Sequence, residues 1–157
     1  MATVRQAVRI ILIDPADRVL LMHFSNPSSG DRFWITVGGG IDAGESPEDA
    51  IRREVLEEVG LASFELGPAV WTRREVFEWA GELIDQSETF FLARVESFEP
   101  YAHSHTAIER AGVIDMRWWS VAELEATDEI IYPRTFVTHY RELLHSGPPP
   151  TPIDVGP

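Results

Sequence analysis

The stretch that most constrains this chain runs from Gly38 to Leu61. Gly38-Gly39-Gly40 closes a short aromatic run, Gly44 follows, and a fully punctuated helix comes next. Ser46 is a capping residue. Pro47 fits the first helical position, where its missing N–H is no loss, and Glu48 and Asp49 suit the positive end of the helix dipole. Gly60 ends the helix, because the residue just past the last turn takes a left-handed conformation that glycine adopts without penalty. These signals predict a helix over 47–59. Ile51, Val55 and Val59 recur at i, i+4, i+8 and give it an apolar stripe that can dock on a core.

Beside that stripe, Glu54, Glu57 and Glu58 are spaced i, i+3, i+4. At about 100° per residue they fall within an arc of roughly 100°. Like charges at this spacing repel by a few tenths of a kcal/mol, and Glu57 and Glu58 lie in the last turn, where the dipole is itself negative. An acidic helix face is ordinarily a solvated surface. The loop leading into this one argues otherwise: its glycines let the backbone approach an anion or offer carbonyls to a metal. A hard divalent cation with oxygen ligands is the counter-charge that three carboxylates call for.

Charge supports the same reading. The chain carries 13 Lys and Arg against 26 Asp and Glu, a formal net charge of −13. Such a surface repels duplex nucleic acid and anionic membranes, which are bound mainly through basic side chains. A phosphate-bearing substrate needs cations between itself and the protein. There are no cysteines, which removes disulfides and thiolate zinc sites and fits a reducing cytoplasm. The run Val8–Ile13 is broken by Arg9 and followed by no small-residue cleavage site, so it does not read as a signal peptide. No stretch approaches the roughly 20 apolar residues of a membrane span.

The remaining segments read as one domain over 1–146. Residues 4–13 and 18–24 are strand-like and flank the turn Asp14-Pro15-Ala16-Asp17, which predicts a hairpin. Phe33–Val37 is a third strand. Further strands are expected over 68–76 and 88–95, with a turn at Ala80-Gly81, and over 116–119. Residues 98–112 read as irregular. Ser120 caps a short helix over 121–125, and a last helix is expected over 133–145, with Phe136, Tyr140, Leu143 and Leu144 on one stripe. Residues 147–157 hold five of the eleven prolines and are expected to be a disordered tail. Strands and helices in this order predict an α/β fold, a mixed β-sheet packed between helices.

Written out, Gly39, five residues, Glu45, seven residues, and then Arg53-Glu54-Val55-Leu56-Glu57-Glu58-Val59-Gly60-Leu61 matches the Nudix box, G-x5-E-x7-R-E-U-x-E-E-x-G-U with U aliphatic, at every defined position. The chain therefore resembles the Nudix hydrolases. The aromatic strand before the box and the segment Arg117–Leu124 after it are similar too. The resemblance implies a Nudix-type α/β/α sandwich around a central mixed sheet. It implies hydrolysis of the diphosphate linkage in a nucleoside diphosphate joined to another group, X. Glu54, Glu57 and Glu58 would bind Mg²⁺ or Mn²⁺, joined by a carbonyl of Gly38 or Gly39, and Arg53 with Glu45 would steady loop against helix. Glu57 or Glu58 would receive the proton of the attacking water. There are two departures. Val37 stands where many relatives have proline, and Arg117 stands where some have a further acid. Glu109 and Asp115 are the nearby substitutes.

Other features compete less well. Gly38-Gly39-Gly40-Ile41-Asp42-Ala43 fits the dinucleotide pattern G-x-G-x-x-A, but that pattern needs the helix to open at the glycines. With no lysine in the chain, a P-loop is excluded. His103 and His105 are a possible metal pair in a polar loop. Phe24, Phe33, Trp34, Trp71, Phe77 and Trp79 are aromatics that either stack on a base or fill the core. Strand alternation sends Phe33 and Trp34 to opposite faces, so one of them is expected to line a pocket. Arg73 and Arg74 are candidates to hold a phosphate. A non-catalytic nucleotide-binding module of the same fold is the alternative to an enzyme. The residues are equally compatible with a monomer and a homodimer. They leave open whether the substrate is a nucleoside triphosphate, nucleotide sugar, ADP-ribose or dinucleotide.

Overall fold

A computed structural model describes residues 1–101 and 112–157. Glu109, His103 and His105 lie outside the described residues. In chain order the elements are β1 (Thr3–Ile13), β2 (Val19–Ser25), β3 (Arg32–Gly40), α1 (Pro47–Val59), β4 (Ala69–Trp79), β5 (Glu82–Arg94), β6 (Val113–Trp119), α2 (Val121–Ala126), α3 (Phe136–Ser146) and β7 (Ile153–Asp154). The strands form one mixed sheet in the order β6-β2-β3-β1-β5-β4-β7. β1 runs parallel to β5 along its whole length, from Thr3 opposite Ile84 to Ile13 opposite Arg94. β3 is antiparallel to both β1 and β2.

Alternation along β1 explains the layers. Val8, Ile10 and Leu12 join Ile51, Val55 and Val59 of α1 in one buried cluster. Ile11 and Ile13 join Trp71, Phe136, Tyr140 and Leu143 in a second. Successive side chains of a strand point to opposite faces, so one apolar strand serves two helical layers, and the result is an α/β/α sandwich. Burial of Ile51, Val55 and Val59 contributes roughly 1.5–3 kcal/mol each and fixes which side of α1 turns outward.

Besides β4, β5 and β6 being longer than expected, the structure departs from the sequence reading in three places. The β1–β2 connection is a tight turn, with Asp14 Oδ1 accepting from the N–H groups of Ala16 (3.0 Å) and Arg18 (2.9 Å), yet the two strands pair only at Ile13–Val19. β3 fills the space between them and takes over the pairing. The last helix begins at Phe136 rather than at Pro133. The third departure is the tail, expected to be disordered. Ile153 and Asp154 instead pair in parallel with Trp71 and Thr72, the Val155 N–H donates to the Thr72 carbonyl at 3.0 Å, and Thr135 Oγ1 donates to the Val155 carbonyl at 2.7 Å. Val155 is buried within the α3-side cluster. The reason is local: β4 would otherwise leave an open edge of backbone donors and acceptors, and Ile153-Asp154-Val155 is the proline-free stretch able to pair with it. Among the described residues no helix is long and apolar enough to cross a membrane.

Candidate active site

The turn from β3 into α1 builds one end of a cleft of about 860 Å³. Helix α1 spans Pro47–Val59, as the caps predict. Ser46 Oγ accepts from the Asp49 N–H at 3.1 Å, and Gly60, at φ 80°, closes the helix through its N–H to the Leu56 carbonyl. Gly38 and Gly39 are needed for close approach. A Cβ on Gly38 would meet the Val8 carbonyl oxygen at 2.1 Å, and one on Gly39 would meet Glu54 Oε1 at 2.6 Å.

Arg53 is the hub that ties loop to helix. Its Nε donates to Glu45 Oε2 (2.8 Å) and its Nη2 to Glu45 Oε1 (2.9 Å) and the Gly40 carbonyl (3.0 Å). Its Nη1 donates to Glu54 Oε1 at 2.8 Å and lies 3.5 Å from Glu57 Oε2. Glu45 also accepts from the Asp42 N–H at 3.0 Å. The Arg53 hydrogen bonds first, and then that N–H, hold the Glu45 carboxyl down to about 2.

The three glutamates differ in setting. Glu54 and Glu58 are buried, while the Glu57 side chain is 39% exposed and faces the open cleft. Burial, and then the neighbouring Glu54 carboxylate, push the Glu58 carboxyl well above its ordinary range. Glu58 Oε2 is buried with no hydrogen-bond partner. Among the described residues no three acidic or imidazole groups are already gathered as a cation cage; Arg53 holds Glu54 and lies 3.5 Å from Glu57. The donor set nevertheless fits a hard divalent cation. It offers carboxylate oxygens, one of them unpartnered, beside a backbone that glycine brings close.

The floor of the cleft comes from β1, β4 and β5. Glu88 is 2% exposed and bridges Arg9 Nε (2.7 Å) and Arg73 Nη1, while Gln86 Nε2 donates to it at 3.2 Å. Burial alone would raise the Glu88 carboxyl. The two guanidiniums outweigh it and leave the group below its ordinary value. At the far end Phe24, Phe33, Phe77, Trp79 and Tyr132 form an aromatic wall, with Phe33 edge-on to both Trp79 and Tyr132.

Of the residues singled out from sequence, Arg53, Glu54, Glu57, Glu58, Gly38, Gly39, Phe33 and Arg73 line this cleft, as do the aromatics Phe24, Phe77 and Trp79. Glu45 meets it through Arg53. Trp34 does not line it. It turns to the α3-side cluster, stacked on His23 at 4.2 Å and edge-on to Trp119 at 5.0 Å. Arg74 does not line it either: it is exposed and forms two hydrogen bonds to Asp85, at 2.9 and 2.7 Å. Asp115 is exposed on β6, accepts from the Met116 N–H, and is outside the cleft. Sequence reasoning missed Arg5, Arg9, Gln86, Glu88 and Tyr132, all of which line the cleft. Alternating polar residues in otherwise apolar strands (Arg9 before Ile10, Gln86 and Glu88 before Phe90) were the available signal.

A model of the NUDIX domain family matches residues 3–140. The RNA pyrophosphohydrolase of Vibrio atlanticus is 31% identical over 57% of this chain and 56% of its own length. That of Vibrio cholerae is 36% identical over 45% of this chain and 46% of its own. The chain thus spans about half the length of the curated relatives it matches. Among solved structures, a MutT NUDIX hydrolase from Burkholderia pseudomallei superposes with a TM-score of 0.65 at 20% identity, covering 88% of this chain and 98% of that one. The NUDIX domain of Shewanella oneidensis NrtR, solved with ADP ribose, gives 0.66 at 21% identity, with 92% and 90% covered.

Proposed function

The chain belongs to the NUDIX family, and from that premise we propose that it is a Mg²⁺-dependent pyrophosphohydrolase. It cleaves the diphosphate linkage of a nucleoside diphosphate joined to a further group by attack of water on phosphorus. The observation that carries this reading is the acidic edge of α1. Two buried glutamates, one with an unpartnered oxygen, stand with a third against a glycine turn at the mouth of a cleft large enough for a nucleotide.

Glu54, Glu57 and Glu58, with a carbonyl of Gly38 or Gly39, would hold Mg²⁺ or Mn²⁺. When bound, the ion supplies neutralisation of the diphosphate, polarisation of its oxygens and a lowered pKa for a coordinated water. The chain's own contribution is placement. Arg53 keeps the loop and helix in register and holds Glu54 by its Oε1. Glu57, facing the cleft, or Glu58, buried beside Glu54, would accept the proton of the attacking water. One P–O bond forms to water and the bridging P–O bond breaks, which releases two phosphorylated products. The aromatic wall suits a planar base. The names of the relatives point to pyrophosphate hydrolysis and leave the substrate of this chain open. The absence of cysteines keeps a cytoplasmic setting the simplest.

The test is a panel of nucleoside triphosphates, nucleotide sugars, ADP-ribose, dinucleoside polyphosphates and 5′-triphosphorylated RNA. Each is incubated with Mg²⁺ or with chelator in ¹⁸O-labelled water. The expected result is Mg²⁺-dependent cleavage of at least one class with ¹⁸O in a phosphorylated product. No turnover across the panel would favour a nucleotide-binding module, a reading that draws on the hold Arg53 already has on Glu54 and Glu57.

A further inference from the structure

Four arginines among the described residues line the cleft, and three are occupied. Arg53 is divided among Glu45, Glu54, Glu57 and the Gly40 carbonyl. Arg9 and Arg73 close on Glu88 from either side, and Arg9 also donates to the Thr36 carbonyl. Arg5 is different. It stands near the start of β1, just before the Ala7–Gly40 pair, and among the described residues it makes no hydrogen bond and no ion pair. Its guanidinium lies across Gly40: a Cβ there would come within 2.5 Å of Nε and 2.6 Å of Nη2. The side chain thus lies over the glycine turn that leads into α1.

Charges surround Arg5 without pairing it. Arg9 is a like charge nearby, and Glu54, Glu88 and Asp42 act on Arg5 through space without reaching ion-pair distance. Burial first, and then Arg9, pull the guanidinium below its ordinary value, and the group stays charged and able to bind an anion. A guanidinium fork matches phosphate oxygens in a bidentate way that a lysine does not.

We propose that Arg5 is the phosphate-recognition residue of the cleft. It takes the oxygens of a substrate phosphate group that the acidic edge of α1 does not hold, and so favours substrates that carry charge at that position over those that carry a neutral sugar. This rests on the hydrolase reading above. The test uses the full chain and its Arg5→Ala and Arg5→Lys variants. One arm is calorimetric titration with ADP, run with Mg²⁺ and again in chelator. The other is steady-state kinetics with Mg²⁺ on a nucleoside triphosphate and a nucleotide sugar.

Loss of a charge-assisted hydrogen-bond pair predicts about tenfold to a hundredfold weaker ADP binding in Arg5→Ala. KM for the triphosphate should rise to match, with a smaller rise for the nucleotide sugar and kcat changed less than about threefold. Arg5→Lys should recover only part of the affinity. ADP that binds Arg5→Ala as tightly as it binds the unaltered chain, or that binds neither, overturns the assignment. The two readings fail separately. Loss of ADP binding in Arg5→Ala with no turnover of any substrate keeps the phosphate site and removes the hydrolase. Turnover unaffected by Arg5→Ala does the reverse.

Discussion

The two ends of α1 are made from the same residue types and behave in opposite ways. At the N-terminal end the cap and the acids find a partner or a favourable dipole. Ser46 accepts from Asp49, Glu48 and Asp49 face the positive end of the dipole, and Glu45 is gripped by Arg53 and the Asp42 N–H. At the C-terminal end Glu54 and Glu58 are buried, Glu57 stands beside them, no basic residue occupies the last turn, and Glu58 Oε2 has no partner. Acids there oppose both each other and the dipole. The first end stabilises a loop. The second carries an electrostatic cost that Arg53 relieves only in part and that a bound cation would relieve further, which makes it the proposed working end.

The comparison can be broken most decisively at the working end. Glu57→Gln and Glu58→Gln should each lower kcat by about 10²–10⁴-fold, with circular dichroism unchanged. Wild-type rates in both would erase the distinction between the two ends. The floor of the cleft offers a control in which buried charge is fully paired. Glu88→Ala leaves Arg9 and Arg73 without their shared carboxylate and should cost about 3–5 kcal/mol in urea denaturation, as breaking a buried pair does.

Next in size is a gain. The folded Glu58 carboxyl is raised above its unfolded value, so its contribution favours folding below the unfolded pKa and is lost as pH rises through the folded one. In chelator at neutral pH, Glu58→Gln should therefore raise Tm by a few degrees, and the gain should shrink as pH falls toward 4.5. Glu45 has the opposite sign. Its carboxyl is depressed to about 2, so its contribution is present above the unfolded value of 4.5 and fades as pH falls between the two. Thermal melts across pH should show both trends, and Mg²⁺ should narrow the gap between the unaltered chain and Glu58→Gln. The smallest effect belongs to the satisfied end: Ser46→Ala should cost about 1 kcal/mol and leave kcat nearly unchanged.

What the sequence made legible follows the range of the interactions involved. Helix α1 was readable to the residue because Ser46, Pro47 and Gly60 act within a turn of themselves. The acidic face followed from helical spacing alone. The Arg9–Glu88–Arg73 bridge was not readable, since it depends on β1 lying parallel to β5 and on β4 pairing with β5. The same long-range pairing decides that Arg73 enters the cleft while Arg74, its neighbour, meets Asp85 on the outside. β7 was hidden by composition. Prolines around Ile153 suggest disorder, and the open edge of β4 that recruits it is invisible until the sheet is assembled.

The central claim is that Glu54, Glu57 and Glu58 are a cation site in waiting, and diffraction from crystals soaked in Mn²⁺ tests it most directly. The account predicts an anomalous peak among their carboxylates, within coordination distance of the carbonyl of Gly38 or Gly39, with Glu57 drawn away from Arg53. The three side chains turned apart, with no peak between them, would contradict it.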